Sequence, residues 1–199
     1  MKKIVTWILS MFVLIGCVYL ILFIISSKFS PEADHVPFIN DDRVISPKVE
    51  AYRPVFKKYA QIYGLADKTD LLMAMAMQES KGDAVDLMQA SESQGLPRNT
   101  IKNQAESIKI GTQYFKKSLD RANGDIRLAL QSYNFGIGFT NFVNSHGGNY
   151  SESLAEQFAK EKASELGWSS YGDPHYVSHV LRYYYNEKEK REYAKKNND

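Results

Sequence analysis

Apolar and polar positions alternate in two regimes along the chain. From Ile4 to Ile25 the run is broken only by Thr6, Ser10, Gly16 and Cys17 and holds no charge. At about 1.5 Å per residue a helix of that length crosses the roughly 30 Å hydrocarbon layer of a membrane. Between Ser30 and Ser46 no apolar period exists, and Pro31, Pro37, Pro47 and scattered Asp read as a spacer. Beyond it the spacing is helical. Ser46-Pro47 reads as an N-cap with proline in the first turn, and Val49, Tyr52, Val55, Phe56, Tyr59 and Tyr63 recur at three- and four-residue steps until Gly64. Asp70 is placed to cap a second helix reaching about Ser80, apolar all round from Leu71 to Met77, as a helix at the centre of a domain would be. Further amphipathic helices are predicted at about 103–121, 125–133 and 151–166, and a last one from about Asp173-Pro174 into the charged stretch 187–191. No segment alternates convincingly with period two and no repeat is evident, so the domain reads as mainly α.

Charge and cysteine usage refine this picture. Lys2 and Lys3 are the only charges of the first 27 residues, and they orient the apolar segment with its N-terminus in the cytoplasm and the remainder outside. Two other readings stay open: a cleaved signal peptide, and a lipoprotein, because Leu14-Ile15-Gly16-Cys17 resembles a lipobox. The uncut anchor is favoured because Val18 to Ile25 extends the apolar run past the Cys. The remaining chain carries 23 basic and 23 acidic side chains, which gives no electrostatic case for nucleic acid. The lone Cys of the full sequence, Cys17, lies inside the anchor, so packing alone holds the outer domain. The organisation expected is an anchor at 1–27, a linker at 28–46, a domain at 47–187 and a charged tail at 188–199.

The chemically informative position is Glu79, at the end of the buried helix. Apolar surroundings and the negative helix end both disfavour the charged carboxylate, so its pKa should rise toward neutrality. A group that donates a proton to a glycosidic oxygen needs that property. A solvated helix-end Glu is the plain alternative. Asp86 follows seven residues later, past a reversal at Gly82, where a loop returns a second carboxylate toward the first.

Three blocks then carry a family resemblance: Gln78-Glu79-Ser80-Lys81-Gly82, Asp86-Leu87-Met88-Gln89-Ala90-Ser91-Glu92-Ser93, and Ser132-Tyr133-Asn134-Phe135-Gly136. In this order and on helices they resemble the lysozyme and lytic transglycosylase superfamily, most closely its CwlT-type, goose-type-like muramidase branch of Gram-positive bacteria. The resemblance covers roughly Val49 to Tyr185. It implies a lysozyme-like helical domain of goose-type or SLT-like form behind one N-terminal transmembrane helix. It also implies that Glu79 is the general acid between N-acetylmuramic acid and N-acetylglucosamine, and that Asp86 is the second carboxylate. Gln89 and Ser91 then belong to the glycan-facing block, the Tyr133 hydroxyl holds the acid, and the Asn134 amide bonds a sugar. Without the resemblance, Tyr133 reads equally as a buried aromatic and Asn134 as a helix C-cap.

One departure bears on the reaction. Soluble lytic transglycosylases usually show Gly-Leu-Met-Gln, whereas Asp86 precedes Leu87 here. A transglycosylase needs no activated water because the sugar's own 6-hydroxyl closes an anhydro ring, so a carboxylate at this place favours hydrolysis. Glu92 is a rival second carboxylate. The other motifs carry less. Gly136-Ile137-Gly138 lacks the strand and third glycine of a phosphate loop. His175 and His179, with Asp173 nearby, have zinc-ligand spacing but no Glu after the first His and no evident third ligand, so no metal and no cofactor are expected. Trp168 and Tyr183-Tyr184-Tyr185 suit either sugar stacking or the core.

The sequence therefore predicts a membrane-anchored N-acetylmuramidase whose partners are peptidoglycan glycan strands, with cell-division or wall-synthesis proteins as further candidates. Two alternatives stand: a lytic transglycosylase, and a catalytically weak wall-binding scaffold.

Overall fold

A computed structural model describes residues 45–185; the anchor, most of the linker and the charged tail lie outside the described residues. The expected first helix is two. α1 (Pro47–Glu50) starts at Ser46, whose hydroxyl accepts from the Val49 N–H, and α2 (Arg53–Ile62) starts afresh with a proline in its first turn. Pro54 has no N–H to donate and its ring crowds the carbonyl of Glu50, so it sits only where a new helix begins. Ile45, assigned to the linker from sequence, is buried, and Val49, Phe56 and Ala60 point with it into the core.

After a 3₁₀ turn at Ala66–Lys68, α3 (Thr69–Ser80) runs through the middle of the domain with Leu71 to Met77 all buried. Asp70 does not cap it; it lies in the first turn and accepts from Arg53 Nη1 at 2.7 Å, tying α2 to α3. The helix closes at Lys81, which adopts a left-handed conformation and donates its N–H to the Met77 carbonyl. A long irregular segment with one 3₁₀ turn at Glu92–Gln94 leads to α4 (Gln104–Arg121), capped by Asn103. Asp125 caps α5 (Ile126–Phe135), and Ser151 caps α7 (Glu152–Leu166), each accepting a backbone N–H in the first turn.

Between these stands α6 (Gly138–Ser145), absent from the sequence expectation. It is short, begins at Gly138 and is followed by Gly147-Gly148, so its periodicity is thin. Aromatic packing from elsewhere holds it, with Phe139 at 5.3 Å from Phe135 and 5.2 Å from Phe158, ring centre to ring centre. The last helix, α8, covers 176–185 of the described residues. α4 packs on α5 and α2, α2 on α3, α5 on α6, and α6 on α7, so α3 is covered from Leu71 to Met77 and emerges only at its two ends. The described residues contain no strand.

Candidate active site

The emergence of α3 fixes Glu79. One residue from the helix end, it is partly buried and accepts a hydrogen bond on Oε1 from the Tyr176 hydroxyl at 2.5 Å. Tyr176 comes from the first turn of α8 and is 1% exposed. Burial pushes the Glu79 pKa from 4.5 to about 7. The Tyr176 hydrogen bond and the Arg98 charge oppose that rise, and the negative charges of Asp86 and Glu92 reinforce it. Burial likewise drives the Tyr176 and Tyr133 hydroxyls well above the ordinary tyrosine range, so both stay neutral donors.

Glu79 lies on the wall of a cleft of ≈ 490 Å³, shared with Gln89, Glu92, Arg98, Tyr114, Tyr133, Asn134, Trp168 and Tyr171. The loop after α3 forms one side. Ser80 Oγ donates to the Leu87 carbonyl, Ser107 Oγ donates to Asp86, and the Met88 N–H donates to Ser107 Oγ at 2.9 Å. Met88 is pressed against α4 at Gly111, where a Cβ would come within 2.7 Å of its sulfur and 2.9 Å of the Tyr133 hydroxyl. The missing side chain at Gly111 is what lets loop, α4 and α5 meet.

The predicted site residues separate into those in the cleft and those that build it. Asp86 is 1% exposed and does not line the cleft. Its Oδ1 accepts from the Ala90 N–H and Ser107 Oγ, and its Oδ2 from the N–H and hydroxyl of Ser91. Four donors enclose the carboxylate and hold the 86–91 turn closed. Ser91, expected on the glycan, is equally buried; its oxygen also accepts from the Ile101 N–H. Gln89 does line the cleft, in a left-handed conformation, and its Nε2 donates to the Asp86 carbonyl and to Asn99 Oδ1, each at 2.9 Å.

Tyr133 borders the cleft, but its hydroxyl donates to the Met88 carbonyl at 2.8 Å. The hydroxyl on Glu79 is that of Tyr176, whose ring stacks 6.5 Å from that of Tyr133. Asn134 Oδ1 accepts from the Asp173 N–H at 2.7 Å and so pins the 168–175 segment beside the acid. Gly172 makes that approach possible: a Cβ there would lie 2.6–2.7 Å from Phe135 and Asn134. Glu92, the rival carboxylate, does line the cleft and pairs with Arg98 at 3.4 Å.

The remaining motifs resolve by placement. His179 Nδ1 sits 2.6 Å from Asp173 Oδ2 while His175 Nδ1 faces Glu152, so the two histidines engage different carboxylates. Tyr183 is buried in the core, whereas Trp168 is 59% exposed and stacks 6.1 Å from Tyr171 on the cleft rim. Gly136 adopts a positive φ at the end of α5.

Sequence reasoning missed Tyr176, Tyr114, Tyr171 and Arg98 as cleft-building groups. For Tyr176 a signal existed: a phenol on the apolar face of a helix, two residues after Pro174, must find a partner for its hydroxyl.

This arrangement belongs to a known class. The Lysozyme-like family model matches residues 46–197, and the chain belongs to the lysozyme-like family. Over 139 residues it is 50% identical to the bifunctional muramidase/DL-endopeptidase CwlT of Bacillus subtilis (strain 168), covering 70% of this chain and 42% of that protein. Over 130 residues it is 35% identical to the membrane protein YocA of the same organism, covering 64% of this chain and 58% of YocA. The crystal structure of an NLP/P60-family, lipoprotein-like protein of Staphylococcus aureus superposes with a TM-score of 0.64 at 41% identity, over 70% of this chain and 53% of that one. The chain thus spans about half the length of these relatives.

Proposed function

We propose that the protein is a peptidoglycan glycosidase of the N-acetylmuramidase type, with Glu79 as its general acid. The observation that carries this reading is a carboxyl group with a pKa of about 7 on the wall of an open cleft, oriented by a neutral tyrosine. Near neutral pH about half of such groups hold a proton to give to a leaving glycosidic oxygen. CwlT, named a muramidase and endopeptidase, supports the assignment, and a single carboxyl of raised pKa is the proton donor that glycosidic cleavage requires.

In this reading Glu79 protonates the oxygen between N-acetylmuramic acid and N-acetylglucosamine while Tyr176 positions it. Gln89 and Asn134 line the sugar path. Asp86 and Ser91 hold the turn that carries Gln89. Glu92 is the carboxylate in the cleft to which an attacking water can pass its proton. Residues 1–27 act as a membrane anchor, as the membrane designation of YocA supports, and tethering raises the local concentration of enzyme at the inner face of the wall.

One observation favours a second reading. With Asp86 enclosed by its own donors, the sequence argument for hydrolysis over transglycosylation passes wholly to the exposed Glu92. Mass analysis of muropeptides released from purified walls separates the two, because anhydro ends lack one water. The muramidase reading predicts hydrated reducing ends, absent with Glu79→Gln of unchanged circular dichroism. Full activity in that variant refutes the assignment of Glu79, and mainly anhydro ends refute hydrolysis.

A further inference from the structure

A second pocket, of ≈ 440 Å³, lies against the catalytic cleft, and Trp168, Tyr171 and Gly172 line both. Its floor is the last half of α7, where Ala163 is buried and Lys160 and Ser164 are exposed, and its far wall is the segment through Ser170. That volume falls within the about 300–1,000 Å³ typical of ligand pockets. Its lining combines small apolar area with one cation, and Lys160 makes no ion pair among the described residues. The Trp168–Tyr171 stack is therefore a shared wall between two sites.

We infer that this pocket holds the stem peptide borne by the muramoyl sugar in the cleft, an inference that rests on the glycosidase reading above. Continuity fixes the geometry: a sugar against the cleft face of Trp168 and Tyr171 places a substituent at their rim. Two or three extended residues then carry a chain about 7–10 Å, over the rim and onto α7. Charge and size fix the chemistry. A peptide of small side chains suits the Ala163 floor, and its carboxylate meets Lys160. A bare polysaccharide would leave both unused. The pocket makes the enzyme selective for peptide-bearing over denuded glycan.

The test uses the full chain on two substrates, purified walls and the same glycan stripped of its peptides by an amidase, with kcat/KM measured on each. Wild-type protein is expected to prefer the peptide-bearing glycan. K160E should lower kcat/KM on that substrate by about fivefold, the scale of one exposed ion pair, and leave the stripped glycan unaffected. Ser164→Trp, which fills the pocket from an exposed position, should act in the same direction. Equal rates on both substrates, or equal losses on both in either variant, would overturn the inference while leaving the glycosidase reading intact. Cleavage of neither substrate would refute the glycosidase reading itself and this inference with it.

Discussion

Tyr176→Phe isolates the group that orients the acid. The substitution removes one hydroxyl, keeps the buried ring, and deletes the hydrogen bond of 2.5 Å to Glu79. That bond favours the charged carboxylate and so lowers a pKa that burial has raised to about 7. A hydrogen bond to a charged partner contributes about 1.5–3 kcal/mol, and one pKa unit corresponds to 1.36 kcal/mol. Because the carboxyl is only partly buried, the lower end applies, and the Glu79 pKa should rise by about one unit. The sign matters. A general acid works while protonated, so activity falls as pH rises through its pKa, and the alkaline limb of kcat/KM should move upward by about one unit in the variant. The maximum should fall as well, since a freely rotating carboxyl spends less time aimed at the leaving oxygen. The assay is soluble-fragment release from labelled walls between pH 5 and 9, with a thermal melt to establish that the fold persists. An alkaline limb that stays in place, or moves down, would show that the Tyr176 hydroxyl does not hold down the Glu79 pKa.

Two stability predictions follow from the same geometry. Glu79 holds its proton more tightly folded than unfolded, so its contribution to stability is fully present below pH 4.5 and is lost as pH rises through about 7. Glu79→Gln should remove that loss and make the protein more stable than wild type at pH 8, by on the order of 2–3 kcal/mol in urea unfolding, with no gain at pH 4. Asp86→Asn puts an NH₂ donor among groups that are all donors, and should cost about 3–5 kcal/mol in the same assay. Activity should fall with it through collapse of the 86–91 turn, and an Asp86→Asn protein of wild-type stability would contradict that role.

Much of the fold was legible because long amphipathic periods and side-chain caps are local. Asn103, Asp125 and Ser151 start α4, α5 and α7 where the pattern placed them. The pattern failed where local and tertiary forces disagree. α6 exists because Phe135 and Phe158 surround Phe139, and eight residues flanked by glycine show no such period. Pro54 divided a helix whose apolar spacing ran straight through it.

The site divides in the same way. Glu79 stood out because an acid closing an apolar helix is a local anomaly, whereas its partner Tyr176 lies 97 residues away and only packing joins them. Asp86 looked like a second catalytic carboxylate because residue type does not reveal who donates to it. Three of its donors come from Ala90 and Ser91, four and five residues on, so the closed turn was written in the short spacing that suggested a cleft. Arg98 and Tyr171 carried no sequence signal, since each is an ordinary surface residue until the loops bring it to the cleft.

The most direct measurement is the titration of the Glu79 carboxyl itself, by carbon-13 NMR of glutamate-labelled protein with Glu79→Gln to assign the resonance. A midpoint near pH 7, set by burial, is the expected result. A midpoint near the ordinary 4.5 would leave no proton to donate at neutral pH and would contradict the proposed chemistry.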